Sequence, residues 1–119
     1  MIVAGFGYRS GATAESLRSA LARAQAHMQA VDAPITHVAT TADKVPLLTA
    51  LDLPALAVES VAGIATPTCS PASLVARGTG SVAEAAALAA AGPGGRLLVP
   101  RHISADRLAT CAIAEGASA

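Results

Sequence analysis

The sequence predicts an α/β fold: a single three-layer α/β/α domain over residues 1–119, with a mainly parallel sheet of about five strands. Two observations predict it. Short apolar segments alternate with helical patterns along the chain, and such spacing favours right-handed crossovers between parallel strands. The chain is also long enough for one hydrophobic core and too short for two ordinary domains.

The first half of the chain predicts three strands separated by two helices. Residues 2–7 form a short apolar segment that closes on glycine, and apolar residues at helical spacing predict a helix over 14–30. Residues 36–40 predict the second strand and residues 55–58 the third. Between them, Pro46 falls in the first turn of a short helix, where proline is tolerated.

The second half predicts one strong helix and two strands. Residues 60–65 indicate a weak helix, and residues 71–76 indicate one further helical turn. The helix over 82–91 is the best defined, because Ser81 and Glu84 form an S-x-x-E capping box and glycine follows its last residue.

Two strands follow that helix, over residues 96–99 and 108–114. The polar loop predicted between them contains Arg101, His102, Ser104 and Asp106. Because this loop is too short for a helix, we expect the last strand to pair antiparallel at an edge of the sheet.

Composition argues against several classes of function. Eight basic and eight acidic residues cancel without any run of like charge, so we expect no nucleic-acid partner. Apolar segments are interrupted well short of the ~20 residues that a membrane span needs, which predicts a cytoplasmic protein with no membrane contact. The two cysteines and three histidines lack metal-binding spacing, so we expect reduced thiols, no metal and no cofactor.

In such a sheet, ligands bind beyond the carboxyl ends of the strands, where loops and helix N-termini converge. The loops at that edge combine glycines, hydroxyls and cations, which suit carboxylate or phosphate. The alternative is that the glycines make turns, the hydroxyls cap helices and the cations are solvated. The candidate ligand-binding residues are Gly7, Arg9, Ser10, Thr13, Thr40, Thr41, Lys44, Thr79, Gly80, Ser81 and Arg101.

Other motifs give weaker signals. Gly5-Phe6-Gly7 with Gly11 resembles a dinucleotide fingerprint, but the third glycine is one residue late, so a structural role in a turn is the better interpretation. No G-x-S-x-G nucleophile motif is present, and catalytic residues remain unassigned. The capping role explains Glu84 fully, although a role as general base stays open.

Three segments cover nearly the whole chain in order: GFGYRSGATAESLRSAL, TTADKVPLLTALDLP and VARGTGSVAEAAALAAAGPGGRLLVPRHISADRLATCAIAEG. Together they resemble the CobE / CbiG C-terminal family of cobalamin biosynthesis. The closing segment is the specific part of the resemblance. The main departure is Tyr8, where the family often has cysteine, so a thiol role at that position is not carried over.

The resemblance implies work on corrin-ring precursors. Longer members of the CbiG type are associated with opening a cobalt-precorrin lactone and releasing acetaldehyde, and they carry N-terminal sequence that this chain lacks. We therefore expect the shorter, stand-alone CobE type of the aerobic route, which binds or carries a precorrin-type tetrapyrrole.

Two rival interpretations stay open beside the carrier. One is a hydrolase or isomerase acting on the same macrocycle, with Glu84 or Glu59 as base. The other is a non-catalytic module that binds another corrin-pathway enzyme. The sequence leaves a homodimer open as well.

Overall fold

The computed structural model describes residues 2–9, 11–28, 35–41, 44–58, 82–92 and 94–116. Within those ranges the strands are β1 (Ile2–Tyr8), β2 (His37–Thr41), β3 (Ala55–Val58), β4 (Arg96–Ile103) and β5 (Ala109–Glu115). The helices are α1 (Ala14–Gln25), α2 (Val45–Leu48), which continues as a 3-10 turn over Thr49–Leu51, and α3 (Val82–Ala91).

The five strands form one mixed sheet in the order β3-β2-β1-β5-β4. Strands β1, β2 and β3 are parallel, whereas β5 runs antiparallel to both β1 and β4. The carboxyl ends of β1, β2, β3 and β4 therefore lie together, beside the start of β5. We call this end of the sheet the carboxyl edge. The predicted α/β fold is confirmed.

The predicted edge position of the last strand is wrong, although its antiparallel direction is confirmed. Strand β5 lies inside the sheet, and β4 forms the edge. Burial explains the order: Cys111, Ala112, Ile113 and Ala114 are all buried, as expected for a strand covered on both faces. Strand β4 instead contains Pro100, which lacks an N–H and suits an edge strand with its register shifts.

Helices α1 and α3 cover opposite faces of the sheet. On the α1 face, Phe6, Leu17 and Ile113 belong to a core that also takes in Leu48 of α2. On the α3 face, Val3, Ala39 and Val58 pack against alanines of α3. Small side chains dominate the α3 face, so this helix lies very close to the sheet.

Gly5 and Gly7 allow that close approach. A Cβ atom on Gly5 would lie 2.2 Å from the Ala83 carbonyl oxygen and 2.5 Å from the Ala87 nitrogen. The predicted role of this Gly-x-Gly pair in a turn is therefore wrong, because both glycines lie inside β1 and make room for a helix backbone.

Several boundaries differ from the predictions. Strand β4 extends to Ile103, so Arg101 and His102 lie in an edge strand instead of a loop. Helix α1 ends at Gln25 and not at residue 30. The predicted helical segments over 60–65 and 71–76 lie outside the described residues. No helix in the described part of the chain has the length and apolarity to cross a membrane.

Candidate functional site

The carboxyl edge of β1 and β2 brings Gly7 and Thr41 together. The parallel register pairs Gly5 with Ala39, and two further residues along each strand place Gly7 beside Thr41. Both positions face α3: a Cβ on Gly7 would lie 3.3 Å from the Val82 Cβ, and Ala39 packs against α3. Strand alternation gives Thr41 the same face as Ala39. The first turn of α3 therefore lies over Gly7.

The Thr41 hydroxyl is buried at this edge. Thr41 is 5% exposed, and its Oγ1 has no hydrogen-bond partner among the described residues. A buried hydroxyl without a partner costs free energy, so such a group in a native fold calls for a binding partner or water. On the other side of Gly7, the Thr110 hydroxyl donates to the Gly7 carbonyl oxygen at 3.2 Å.

Thr40, one residue earlier, is placed differently. It is fully buried, and its hydroxyl donates to the Phe6 carbonyl oxygen at 2.8 Å. Thr40 therefore links β1 and β2, and its hydroxyl proton is already used within the fold.

Lys44 and Tyr8 lock the ends of these two strands together. The Lys44 ammonium donates to the Tyr8 carbonyl oxygen at 2.6 Å, and its Nζ lies 4.6 Å from the centre of the Tyr8 ring. The Tyr8 hydroxyl donates in turn to the Lys44 carbonyl oxygen at 2.5 Å. Among the described carboxylates, none forms an ion pair with Lys44, so its positive charge remains at the carboxyl edge.

The α1 side of the edge is occupied by the chain's own groups. Thr13 caps α1, and its Oγ1 accepts a hydrogen bond from the Ser16 nitrogen at 3.4 Å. The Ser16 hydroxyl donates to Asp106 Oδ2 at 2.5 Å, and the Ser104 hydroxyl donates to Asp106 Oδ1 at 2.5 Å. These two bonds, Ser104 first, lower the pKa of Asp106. Asp106 thus joins the first turn of α1 to the β4–β5 connection.

The two candidate arginines lie on either side of the carboxyl edge, one after β1 and one in β4. Arg9 is exposed directly after β1, and its backbone nitrogen donates to the Leu108 carbonyl oxygen at 2.8 Å. Arg101 is half-buried in β4, where its backbone nitrogen donates to Glu84 Oε2 at 3.0 Å. Glu84 itself is fully buried in the first turn of α3, so its carboxylate supports the helix–strand contact.

Four candidates lie outside the described residues: Ser10, Thr79, Gly80 and Ser81. The predicted capping box of α3 also includes Ser81, so this prediction lies outside the described residues as well. The list of candidate residues left out three residues that lie at this edge: Tyr8, Thr110 and Asp106. Asp106 carried a usable signal, since it lies in a polar segment with Ser104. Tyr8 carried none, because its role depends on Lys44, which is 36 residues away in sequence.

No group of three histidine, cysteine or carboxylate side chains in the described ranges has the geometry of a metal site. Cys111 is fully buried and free, and burial raises the pKa of its thiol. Cys69 lies outside the described residues.

Comparison with known proteins agrees with this architecture. The family model described as "Cobalamin synthesis G C-terminus" matches residues 2–114. The chain belongs to this family.

Solved structures extend the comparison. The structure of CobE, a protein of the cobalamin (vitamin B12) biosynthetic pathway, is 28% identical with a TM-score of 0.76, and the match covers 96% of this chain and 89% of CobE. The cobalamin biosynthesis protein chiG from Agrobacterium tumefaciens str. C58 is 29% identical with a TM-score of 0.66, over 99% of this chain and 100% of that one.

A third structure shares the fold. A cobalamin biosynthesis protein G homolog from Sulfolobus solfataricus is 22% identical with a TM-score of 0.66, over 95% of this chain and 36% of that chain. None of the curated proteins matches this chain. The predicted membership of the CobE / CbiG C-terminal family is confirmed, and the chain is a cobalamin biosynthesis family protein.

Proposed function

We propose that this cobalamin biosynthesis family protein binds or carries a precorrin-type tetrapyrrole at the carboxyl edge of its sheet. One observation supports the location above the others: the Thr41 hydroxyl is buried and unpaired among the described residues, next to Gly7 and near the positive charge of Lys44. The proposal includes the cytoplasmic location that the sequence predicts.

The chemistry of the ligand matches that of the edge. A precorrin carries acetate and propionate carboxylates around a large apolar macrocycle. Carboxylates are favoured near helix N-termini and near Lys or Arg side chains. Arg9 and Lys44 flank the end of β1, so both cations are close to any ligand at this edge.

We favour a carrier over a lactone hydrolase because of where Glu84 lies. Glu84 was the general base considered within α3, yet its side chain is fully buried and accepts a hydrogen bond from the Arg101 backbone. A general base must reach the proton that it removes, and Glu84 Oε2 is already bound to the Arg101 nitrogen between α3 and β4. Glu59, the other carboxylate considered, lies outside the described residues.

The test is an absorbance titration of the purified protein with precorrin-type tetrapyrroles, followed by mass spectrometry of the same mixture. We expect a saturable spectral shift with the ligand mass unchanged. A changed mass would establish an enzyme instead. No spectral shift at any concentration would refute binding and leave the partner module as the better explanation.

A matched pair of variants tests the location. Arg9→Ala removes an exposed cation at the carboxyl edge, whereas Arg96→Ala removes an exposed cation at the start of β4, on the opposite edge. We expect Arg9→Ala to weaken binding several-fold, which is about the contribution of one exposed ion pair. Arg96→Ala should leave affinity unchanged, and equal affinities for both variants would argue against this edge.

A further inference from the structure

Two histidines connect the end of α1 to the edge strand β4. His27 directly follows the C-cap of α1, and His102 is the last residue but one of β4. Their ring centres are 4.2 Å apart, and the two ring planes meet at 21°. Strands β5 and β1 separate β4 from β2 in the sheet, so this pair is distinct from the residues at the end of β2.

The ring of His27 has one nitrogen engaged and one available. Its Nδ1 lies 2.9 Å from the Arg23 carbonyl oxygen. Because a carbonyl oxygen only accepts hydrogen bonds, Nδ1 carries the proton, and Nε2 of the neutral ring keeps a lone pair. Histidines that bind metal ions commonly donate their other ring N–H to a backbone carbonyl in this way, which fixes the tautomer and the ring orientation.

The ring of His102 also offers a lone pair. His102 is half-buried, and its ring nitrogens have no hydrogen-bond partner among the described residues. Burial lowers the pKa of His102 most, and His27 and Arg23 lower it further. The ring is therefore mainly neutral at pH 7, which is the form that binds a metal ion.

The surroundings of the pair select the kind of ion. Imidazole nitrogen suits Zn²⁺, Ni²⁺ and Cu²⁺, whereas Mg²⁺ and Ca²⁺ prefer oxygen ligands. In the described part of the chain no carboxylate forms an ion pair with either ring, so water must fill the other positions around an ion. The positive charge of Arg23 acts on His102 and opposes a bound cation.

We propose that His27 and His102 form a two-histidine site for Zn²⁺ or Ni²⁺ that bridges α1 and β4. The ion takes one nitrogen from each ring. Because the rings are nearly parallel, one of them must tilt toward the other, and His27 is exposed beyond the end of the helix, where its ring can move without disturbing the core. An ion bound to both elements stabilises the folded chain. The site does not depend on the proposed tetrapyrrole function.

Isothermal titration with NiCl₂ and with ZnCl₂ tests the site. The protein is untagged and carries Cys69→Ser throughout, because a histidine tag or an accessible thiol binds the same ions. We expect one ion per chain, and His27→Gln and His102→Gln should each weaken binding about tenfold or more. His37→Gln is the matched control, since the His37 ring is bonded to the Thr36 hydroxyl at the start of β2, and its affinity should equal that of the parent protein.

Arg23→Gln gives a second, opposite expectation. It removes the guanidinium charge and keeps the backbone carbonyl that orients His27, so the affinity for Ni²⁺ should rise several-fold at low salt. Thermal unfolding supplies an independent readout: Ni²⁺ should raise the melting temperature of the parent and of His37→Gln, and should leave those of His27→Gln and His102→Gln unchanged.

Three results would overturn the site. One is the absence of saturable binding by the parent protein up to about 1 mM ion, where an affinity would amount to only about 4 kcal/mol. Another is parent-like affinity of either His27→Gln or His102→Gln, which would place the ion elsewhere. The third is weaker binding by Arg23→Gln, because the charge of Arg23 would then not act against the ion.

Discussion

Tyr8 and Lys44 exchange two hydrogen bonds across the ends of β1 and β2. The Lys44 ammonium donates to the Tyr8 carbonyl oxygen, and the Tyr8 hydroxyl donates to the Lys44 carbonyl oxygen. The ammonium also lies over the Tyr8 ring. The pair fixes the start of α2 against the end of β1, at the edge where we propose that ligand binds. The pair therefore gives Tyr8 a structural role.

Tyr8→Phe should separate the structural and binding roles of this pair. It removes one hydrogen bond and keeps the ring beneath the ammonium, so we expect the free energy of unfolding to fall by about 1 kcal/mol. Lys44→Met removes the charge and keeps most of the aliphatic chain. We expect it to cost a similar amount of stability and, in addition, to weaken tetrapyrrole binding. Urea unfolding and the absorbance titration measure the two effects, and an unchanged affinity of Lys44→Met would exclude a role for its charge.

Gly5→Ala should destabilise the fold strongly. The added methyl group would lie 2.2 Å from the Ala83 carbonyl oxygen, so α3 must move away from the sheet. Overpacking of this kind costs about 1–3 kcal/mol or more. Gly7→Ala is the matched control, because its nearest contact would be 3.1 Å, to the Thr110 hydroxyl. Chemical denaturation should give Gly5→Ala a much lower free energy of unfolding than Gly7→Ala. The reverse order would contradict the packing described for α3.

Asp106 should make the fold sensitive to strong acid. Hydrogen bonds from Ser104 and Ser16, in that order, lower the pKa of Asp106 in the folded protein. Asp106 therefore stabilises the fold fully at pH values above about 3.9, the ordinary pKa of aspartate. This contribution is lost as the pH falls through the lower pKa that Asp106 has in the folded protein. Asp106→Asn should reduce stability at pH 7 and flatten the decline below pH 4. Urea midpoints measured from pH 7 to pH 2 test this, and parallel curves for the two proteins would disprove it.

His102 stacks on His27, with ring centres 4.2 Å apart. Burial lowers the pKa of His102 most, and the charges of His27 and Arg23 lower it further. Because folding lowers the pKa of His102, neutral His102 contributes its full stabilisation at pH values above about 6.5, the ordinary pKa of histidine. This contribution is lost as the pH falls through the lower pKa of His102 in the folded protein. Proton NMR should show His102 titrating below about 6.5, the ordinary pKa of histidine. Replacing His27 with Gln should raise the pKa of His102, and an unchanged titration curve would mean that the rings do not interact in solution.

The amino-acid sequence by itself determined the α/β class, most elements and the family. Hydrophobic spacing is local, and it located β3 and α3 at the bounds that the structure shows. Family membership rests on ordered segments, which are also a property of the sequence alone. Candidate residues at the carboxyl edge followed from the general rule for parallel strands, and Gly7, Thr41 and Lys44 do lie near one another there.

Only the tertiary structure decided which of these groups already form hydrogen bonds within the chain. The Thr40 hydroxyl has a hydrogen-bond partner on the neighbouring strand, whereas the Thr41 hydroxyl has none among the described residues. The two threonines are indistinguishable in sequence. The place of β5 inside the sheet likewise depends on pairing between the two ends of the chain. Hydrogen bonding and close packing are set by partners distant in sequence, so local patterns identify candidate groups while the folded chain decides which of them remain available to a ligand.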